Sequence, residues 1–220
     1  MTTIKDKNRK NAKNTTGVAS RKKRERQAKK QDILKAAREV FAQKGLHAAT
    51  LDEIAEKAEF AKGTLYGYFP SKEDLFISML EEEMIRFREN IRDVLAQDMP
   101  SDQVIAVLVV TMLRLFDQNV DLMRLLSQEQ TAITICKEKN AEPRFRQHFR
   151  KMINMIAEHI ARGIESDQFH ALDPNRAAMA IYSLCHGAAI SSFMNDRKIY
   201  NTDDVTLITN LLLDGIKTRK

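Results

Sequence analysis

The densest chemistry in the chain lies in eight residues, Lys62-Gly63-Thr64-Leu65-Tyr66-Gly67-Tyr68-Phe69. On a helix, Lys62 and Tyr66 share a face at i, i+4, as do Thr64 and Tyr68, while Leu65 and Phe69 anchor the opposite side. Phenol hydroxyls beside an ammonium group suit phosphate oxygens, contacts that position a protein on nucleic acid. A second concentration is Arg21-Lys22-Lys23-Arg24-Glu25-Arg26. Residues 1–30 hold 12 Lys/Arg against Asp6 and Glu25, a balance of +10, and the remaining 190 hold 24 Lys/Arg against 28 Asp/Glu, a balance of −4. A basic arm on a mildly acidic globule implies nucleic acid or an anionic surface. A solvating tail or a nuclear-import address has the same composition.

Catalytic arrangements are missing from the pattern. No Walker loop, Gly-rich dinucleotide fingerprint, nucleophile elbow or His-Glu-x-x-His occurs, so an enzyme is not expected. His148 and His159, eleven apart, share a helix face that His186 could join. No carboxylate or Cys completes the set at a recognisable spacing, so neither a metal nor a cofactor is expected. Cys136 and Cys185 fit small apolar core positions better than a redox pair.

These residues must be positioned by helices. With 7 Gly, 4 Pro and no Trp in 220 residues, a many-stranded sandwich or barrel is disfavoured. The longest apolar run, Val104 to Val110, is far short of the roughly 20 residues of a membrane span. No apolar stretch follows the N-terminus, so neither a secretory leader nor a membrane partner is expected. Two cysteines suggest a reducing compartment, hence a cytoplasmic protein.

Ile33, Leu34, Ala36, Ala37, Val40 and Phe41 repeat at helical spacing, with Gly45 placed to end that helix. Thr50-Leu51-Asp52-Glu53 is a capping box, followed by an apolar face of Leu51, Ile54, Ala55 and Ala58. Glu59-Phe60-Ala61 is a three-residue turn before the eight-residue segment, and Ser71 caps a long fourth helix reaching about residue 97. Further helices are expected at 102–117, 121–138, 143–166, 174–195 and 203–218, making about nine in an all-α chain. Residues 1–30 form a largely disordered arm, of which 21–30 could extend the first helix. Residues 31–77 form one domain and 78–220 another. Two short helices joined by a tight turn, packed on a preceding helix, are a helix-turn-helix whose second member enters the major groove.

Residues from about 33 to 80 closely resemble the DNA-binding domain of the TetR/AcrR family of bacterial transcriptional regulators. The matching pattern is Ile33-Leu34-x-Ala36-Ala37-x-x-x-Phe41-x-x-x-Gly45, then Thr50-x-x-Glu53-Ile54-Ala55, then Lys62-Gly63-Thr64-Leu65-Tyr66-x-Tyr68-Phe69-x-Ser71-Lys72-Glu73-x-Leu75. The resemblance implies that Thr50 contacts phosphate and that Lys62 and Thr64, with Gly63 between them, face base edges. It implies that Tyr66, Tyr68 and Lys72 hold the DNA backbone, and Arg21, Lys22, Lys23 and Arg24 then fall where they could reach the adjacent minor groove. Two positions depart from the family. Glu59 stands where Gly is usual, and Gly67 stands where some relatives carry a bulky base-contacting side chain.

The resemblance also implies a homodimer through the last two helices. Ser183, Gly187 and Ile190 would meet the partner from one, and Leu207, Leu211 and Ile216 from the other. Filling each subunit's own core is the competing reading. A ligand pocket is implied among the fifth to eighth helices, with Met112, Phe116, Leu122, Met123, Phe145, His148, Phe149, Met152, Met155, His159, Tyr182 and His186 as candidates. Each could equally be ordinary core, but ten methionines make a plastic lining for an apolar or amphipathic inducer. The implied function is a ligand-responsive repressor on a palindromic double-stranded DNA operator. The alternative is an architectural nucleic-acid-binding protein led by its basic arm, without an inducer.

Overall fold

The computed structural model describes residues 4–122 and 142–216. Eight helices are delimited among them: α1 (Ile4–Ala48), α2 (Leu51–Lys57), α3 (Lys62–Tyr66), α4 (Lys72–Leu95), α5 (Ser101–Gln118), α6 (Glu142–Glu165), α7 (Pro174–Met194) and α8 (Thr202–Ile216). No strand occurs among the described residues. The helix expected at 121–138 lies, beyond Leu122, outside them, as do Met123 and Cys136. The chain divides into two compact units, one ending at Met79 and the other starting at Leu80, and α4 supplies residues to both.

In the first unit, Ile33, Ala37 and Phe41 of α1 are completely buried with Ile54, Leu65, Leu75 and Phe76. Phe41 meets Phe76 edge to face, with ring centroids 5.7 Å apart. Gly45, at φ 73°, breaks the helical path inside α1 in a conformation open to glycine and strained for other residues. Ser71 caps α4, its Oγ accepting from the Asp74 N–H at 3.1 Å.

The arm differs from the irregular segment expected. It is helical from Ile4 and continuous with α1. Residues 18–44 contain neither Pro nor Gly and are rich in Lys, Arg, Ala and Gln, all good helix formers. Extending a helix already nucleated by the buried Ile33–Phe41 face avoids the nucleation penalty that an isolated arm would meet.

In the second unit α5 is the buried element. Val104, Ile105, Leu108, Val109, Met112 and Leu113 are all inaccessible. They pack with Ile156 and Ile160 of α6, Ile181 and Cys185 of α7, and Ile208 and Leu212 of α8. Asp173 caps α7 by accepting from the Asn175 and Arg176 N–H groups at 2.9 and 3.1 Å, with Pro174 at the first helical position. By length and composition α7 is apolar enough to cross a membrane. Here it packs on α5, α6 and α8. Met179, Leu184 and Met194 of α7, with Leu207 and Leu211 of α8, remain exposed.

Ile216 departs from the interface expectation. It follows Ile208 and Leu212 at four-residue spacing and is buried with them in its own unit, whereas Leu207 and Leu211 are 57% exposed. Ser183 and Gly187 are exposed and Ile190 is half-buried.

Candidate nucleic-acid interface and ligand cavity

Thr50 starts α2 through a reciprocal cap. The Glu53 N–H donates to Thr50 Oγ1 at 3.2 Å, and the Thr50 N–H donates to Glu53 Oε2 at 3.1 Å. The helix closes with the Phe60 N–H donating to the Ala55 carbonyl at 2.9 Å and the Glu59 N–H to the Glu56 carbonyl at 3.0 Å. That pair of bonds defines a Schellman cap, and its left-handed position is Glu59, at φ 60°. The departure from Gly noted above is therefore met by strain, not by another turn geometry.

α3 is shorter than the segment expected, because Gly67 caps it and the Tyr68 and Phe69 N–H groups both donate to the Leu65 carbonyl at 2.9 Å. Leu65 and Phe69 are buried, so the outward side carries Lys62, Gly63 and Tyr66, with Tyr66 51% exposed. Thr64 and Tyr68 are half-buried. A Cβ placed on Gly63 would meet nothing within 4 Å. Lys62 Nζ pairs with Asp52 Oδ2 at 2.5 Å, and this hydrogen bond raises the ammonium's pKa above its ordinary value. Lys72 Nζ donates to the carbonyls of His47 at 2.8 Å and Ala49 at 3.2 Å, pinning the α1–α2 connection. Two of its three donors are thereby used within the chain.

Arg21, Lys22, Lys23 and Arg24 are exposed on α1, Arg21 pairing with Glu25 at 2.8 Å. Arg26, which the sequence reading left without a role, lies over the Tyr68 ring at 5.7 Å from its centroid. The two are 42 positions apart, and no periodicity links them.

The second unit contains a cavity of about 330 Å³. Its wall is Leu80, Glu83, Met84 and Phe87 of α4, Leu115 and Phe116 of α5, Asn119 and Leu122, Phe145, His148, Phe149 and Met152 of α6, and Tyr182 and His186 of α7. The α6 residues follow i, i+3, i+4, i+7 spacing, one continuous helix face. Phe149 meets Tyr182 edge to face at 4.9 Å, and Tyr182 stacks on His186 at 5.5 Å.

Of the candidates, Phe116, Leu122, Phe145, His148, Phe149, Met152, Tyr182 and His186 line this one cavity. Met112, Met155 and His159 do not line this cavity. Met112 is sealed in the α5 core, and the cavity ends at Met152 on α6, so Met155 and His159 lie beyond it. The α4 wall was missed because Leu80, Met84 and Phe87 belong to a stripe that reads as plain core. Burial holds His148 and His186 below the usual imidazole range, with the Arg88 cation adding to the effect at His148. Burial pushes the Tyr182 phenol up. Among the described residues no three His, Cys, Asp or Glu side chains are grouped to hold a metal.

Residues 33–79 match the family model for bacterial regulatory proteins of the tetR family, and residues 100–203 match the tetracyclin repressor-like C-terminal domain. The chain belongs to the TetR family. It is a DNA-binding transcriptional regulator. This TetR-family chain is 47% identical over 68 residues to the transcriptional regulator RutR of Escherichia coli K12, covering 31% of each chain. It is 25% identical over 199 residues to the fatty acid metabolism regulator protein of Bacillus subtilis, covering 89% of this chain and 100% of that one. The solved structure of FadR from Bacillus subtilis in complex with stearoyl-CoA superposes with a TM-score of 0.66 at 25% identity, covering 84% of this chain and 95% of that chain.

Proposed function

We propose that this regulator is a repressor that binds a palindromic operator as a homodimer and releases it when an acyl chain enters the α4–α7 cavity. The observation that carries the reading is the cavity itself, apolar over most of its wall and partly built from the helix that begins at Lys72. Likeness to a regulator solved with stearoyl-CoA supports an acyl thioester as the effector class.

In this reading Lys62 and Thr64 face base edges, while Thr50, Tyr66, Tyr68 and Lys72 hold phosphates. The exposed basic run from Arg21 to Arg24 adds phosphate contacts. Two copies meet through the open face of Ser183 and Gly187 and through Leu207 and Leu211, placing their reading helices about 34 Å apart in successive major grooves. An effector must favour the released state to act; switching from 1:99 to 99:1 requires about 5.5 kcal/mol of differential binding.

The test is selection of bound sequences from random DNA, followed by fluorescence anisotropy on the selected site with dodecanoyl-CoA or CoA alone. A palindromic consensus, released by dodecanoyl-CoA and not by CoA, is the expected result. Recovery of DNA without a consensus, unaffected by either compound, would instead indicate the architectural role.

A further inference from the structure

The cavity wall contains a histidine whose tautomer is set by a neighbouring side chain. Arg88 Nη1 lies 2.9 Å from His148 Nδ1. A guanidinium can only donate, so Nδ1 accepts, and the proton of the neutral ring sits on Nε2. The ring's surroundings favour its neutral form. Burial and Arg88 oppose protonation, Lys151 adds to them, and Glu81, paired with Arg144 at 3.0 Å, opposes them only in part.

The other polar groups on the wall are arranged differently. Glu83 pairs with Arg86 at 3.3 Å, and Asn119 Nδ2 donates to the Leu115 carbonyl at 2.8 Å. Tyr182 and His186 are stacked nearly parallel, at 13°. Around them the wall is Leu80, Met84, Phe87, Phe149 and Met152. A fixed N–H beside this apolar lining favours a ligand that brings an acceptor, because an apolar ligand covering the wall would exclude water and leave that donor unpaired.

We propose that His148 donates from Nε2 to the acyl carbonyl oxygen of the effector, with Arg88 as the positioning residue that sets the tautomer. The inference rests on the reading that the cavity holds an acyl chain. A thioester carbonyl and a free carboxylate both supply the acceptor.

The probes are dodecanoyl-CoA and S-dodecyl-CoA, a thioether that lacks the carbonyl oxygen, each titrated into the full chain, with dodecanoate in parallel. Wild type is expected to bind the thioester about tenfold more tightly than the thioether. His148→Leu should bring that ratio to about one, and retained binding of the thioether also shows that the variant is folded. His148→Gln, whose amide N–H can stand near the Nε2 position, should retain part of the preference. Arg88→Met, which frees the tautomer, should give an intermediate ratio. If only dodecanoate loses affinity in His148→Leu, the contact stands and belongs to the free acid. Equal wild-type binding of thioester and thioether, with dodecanoate unaffected by His148→Leu, overturns the contact and leaves the cavity reading intact. Binding of none of the three probes overturns both.

Discussion

Glu59 shows how one side chain records a compromise. It occupies the left-handed position of the cap that ends α2, where a Cβ crowds the backbone by roughly 1–2 kcal/mol. Glu59→Gly relieves that crowding but gives the unfolded chain more freedom, which offsets part of the gain. The variant is expected to be more stable by about 1 kcal/mol, raising the midpoint of thermal unfolding by about 2–4 °C. Circular dichroism melts of the two proteins check it, and a lower midpoint for Glu59→Gly would refute the strain. The residue needed for this argument was readable beforehand, since a three-residue turn in this motif calls for positive φ. The Arg26–Tyr68 and Arg88–His148 contacts were not, because each joins residues distant in sequence whose pairing is settled by packing.

At the scale of elements, helix starts and stops were legible wherever a local chemical signal existed. Thr50 with Glu53, Ser71 with Asp74, and Asp173 with Pro174 each mark a start that the structure places within a residue or two. The faces were less legible. A stripe such as Leu80–Met84–Phe87 has the same periodicity whether it abuts a neighbour or a void, and Ile216 differs from Leu211 only in register. Gly163 on α6 is a further case. A Cβ there would lie 2.4 Å from Phe169 Cδ2, so the ring of the α6–α7 connection seats directly on the helix backbone. Gly163→Ala must displace a buried phenyl ring and is expected to destabilise the second unit by about 1–3 kcal/mol, measured by urea unfolding. Gly63→Ala is the control on α3, where an added Cβ meets nothing within 4 Å. An equal loss from both substitutions would contradict the packing argument.

For the whole molecule, the charge division between arm and globule becomes a division of labour in the proposed complex. Each arm cation that neutralises a phosphate contributes roughly 0.9 to the slope of log affinity against log salt. Deleting residues 1–24 is therefore expected to flatten that slope by several units without dissociating the dimer, as followed by anisotropy and sedimentation. An unchanged slope would remove the arm from the interface. The ion pair between Lys62 and Asp52 adds a kinetic corollary. A regulator scanning a genome meets mismatched sequence almost everywhere, and there the ammonium already has its counterion. If Lys62 reads bases as proposed, only a base edge that outcompetes the carboxylate draws it away, so dwell times on indifferent stretches are expected to be short while the arm's phosphate contacts hold the protein on the duplex.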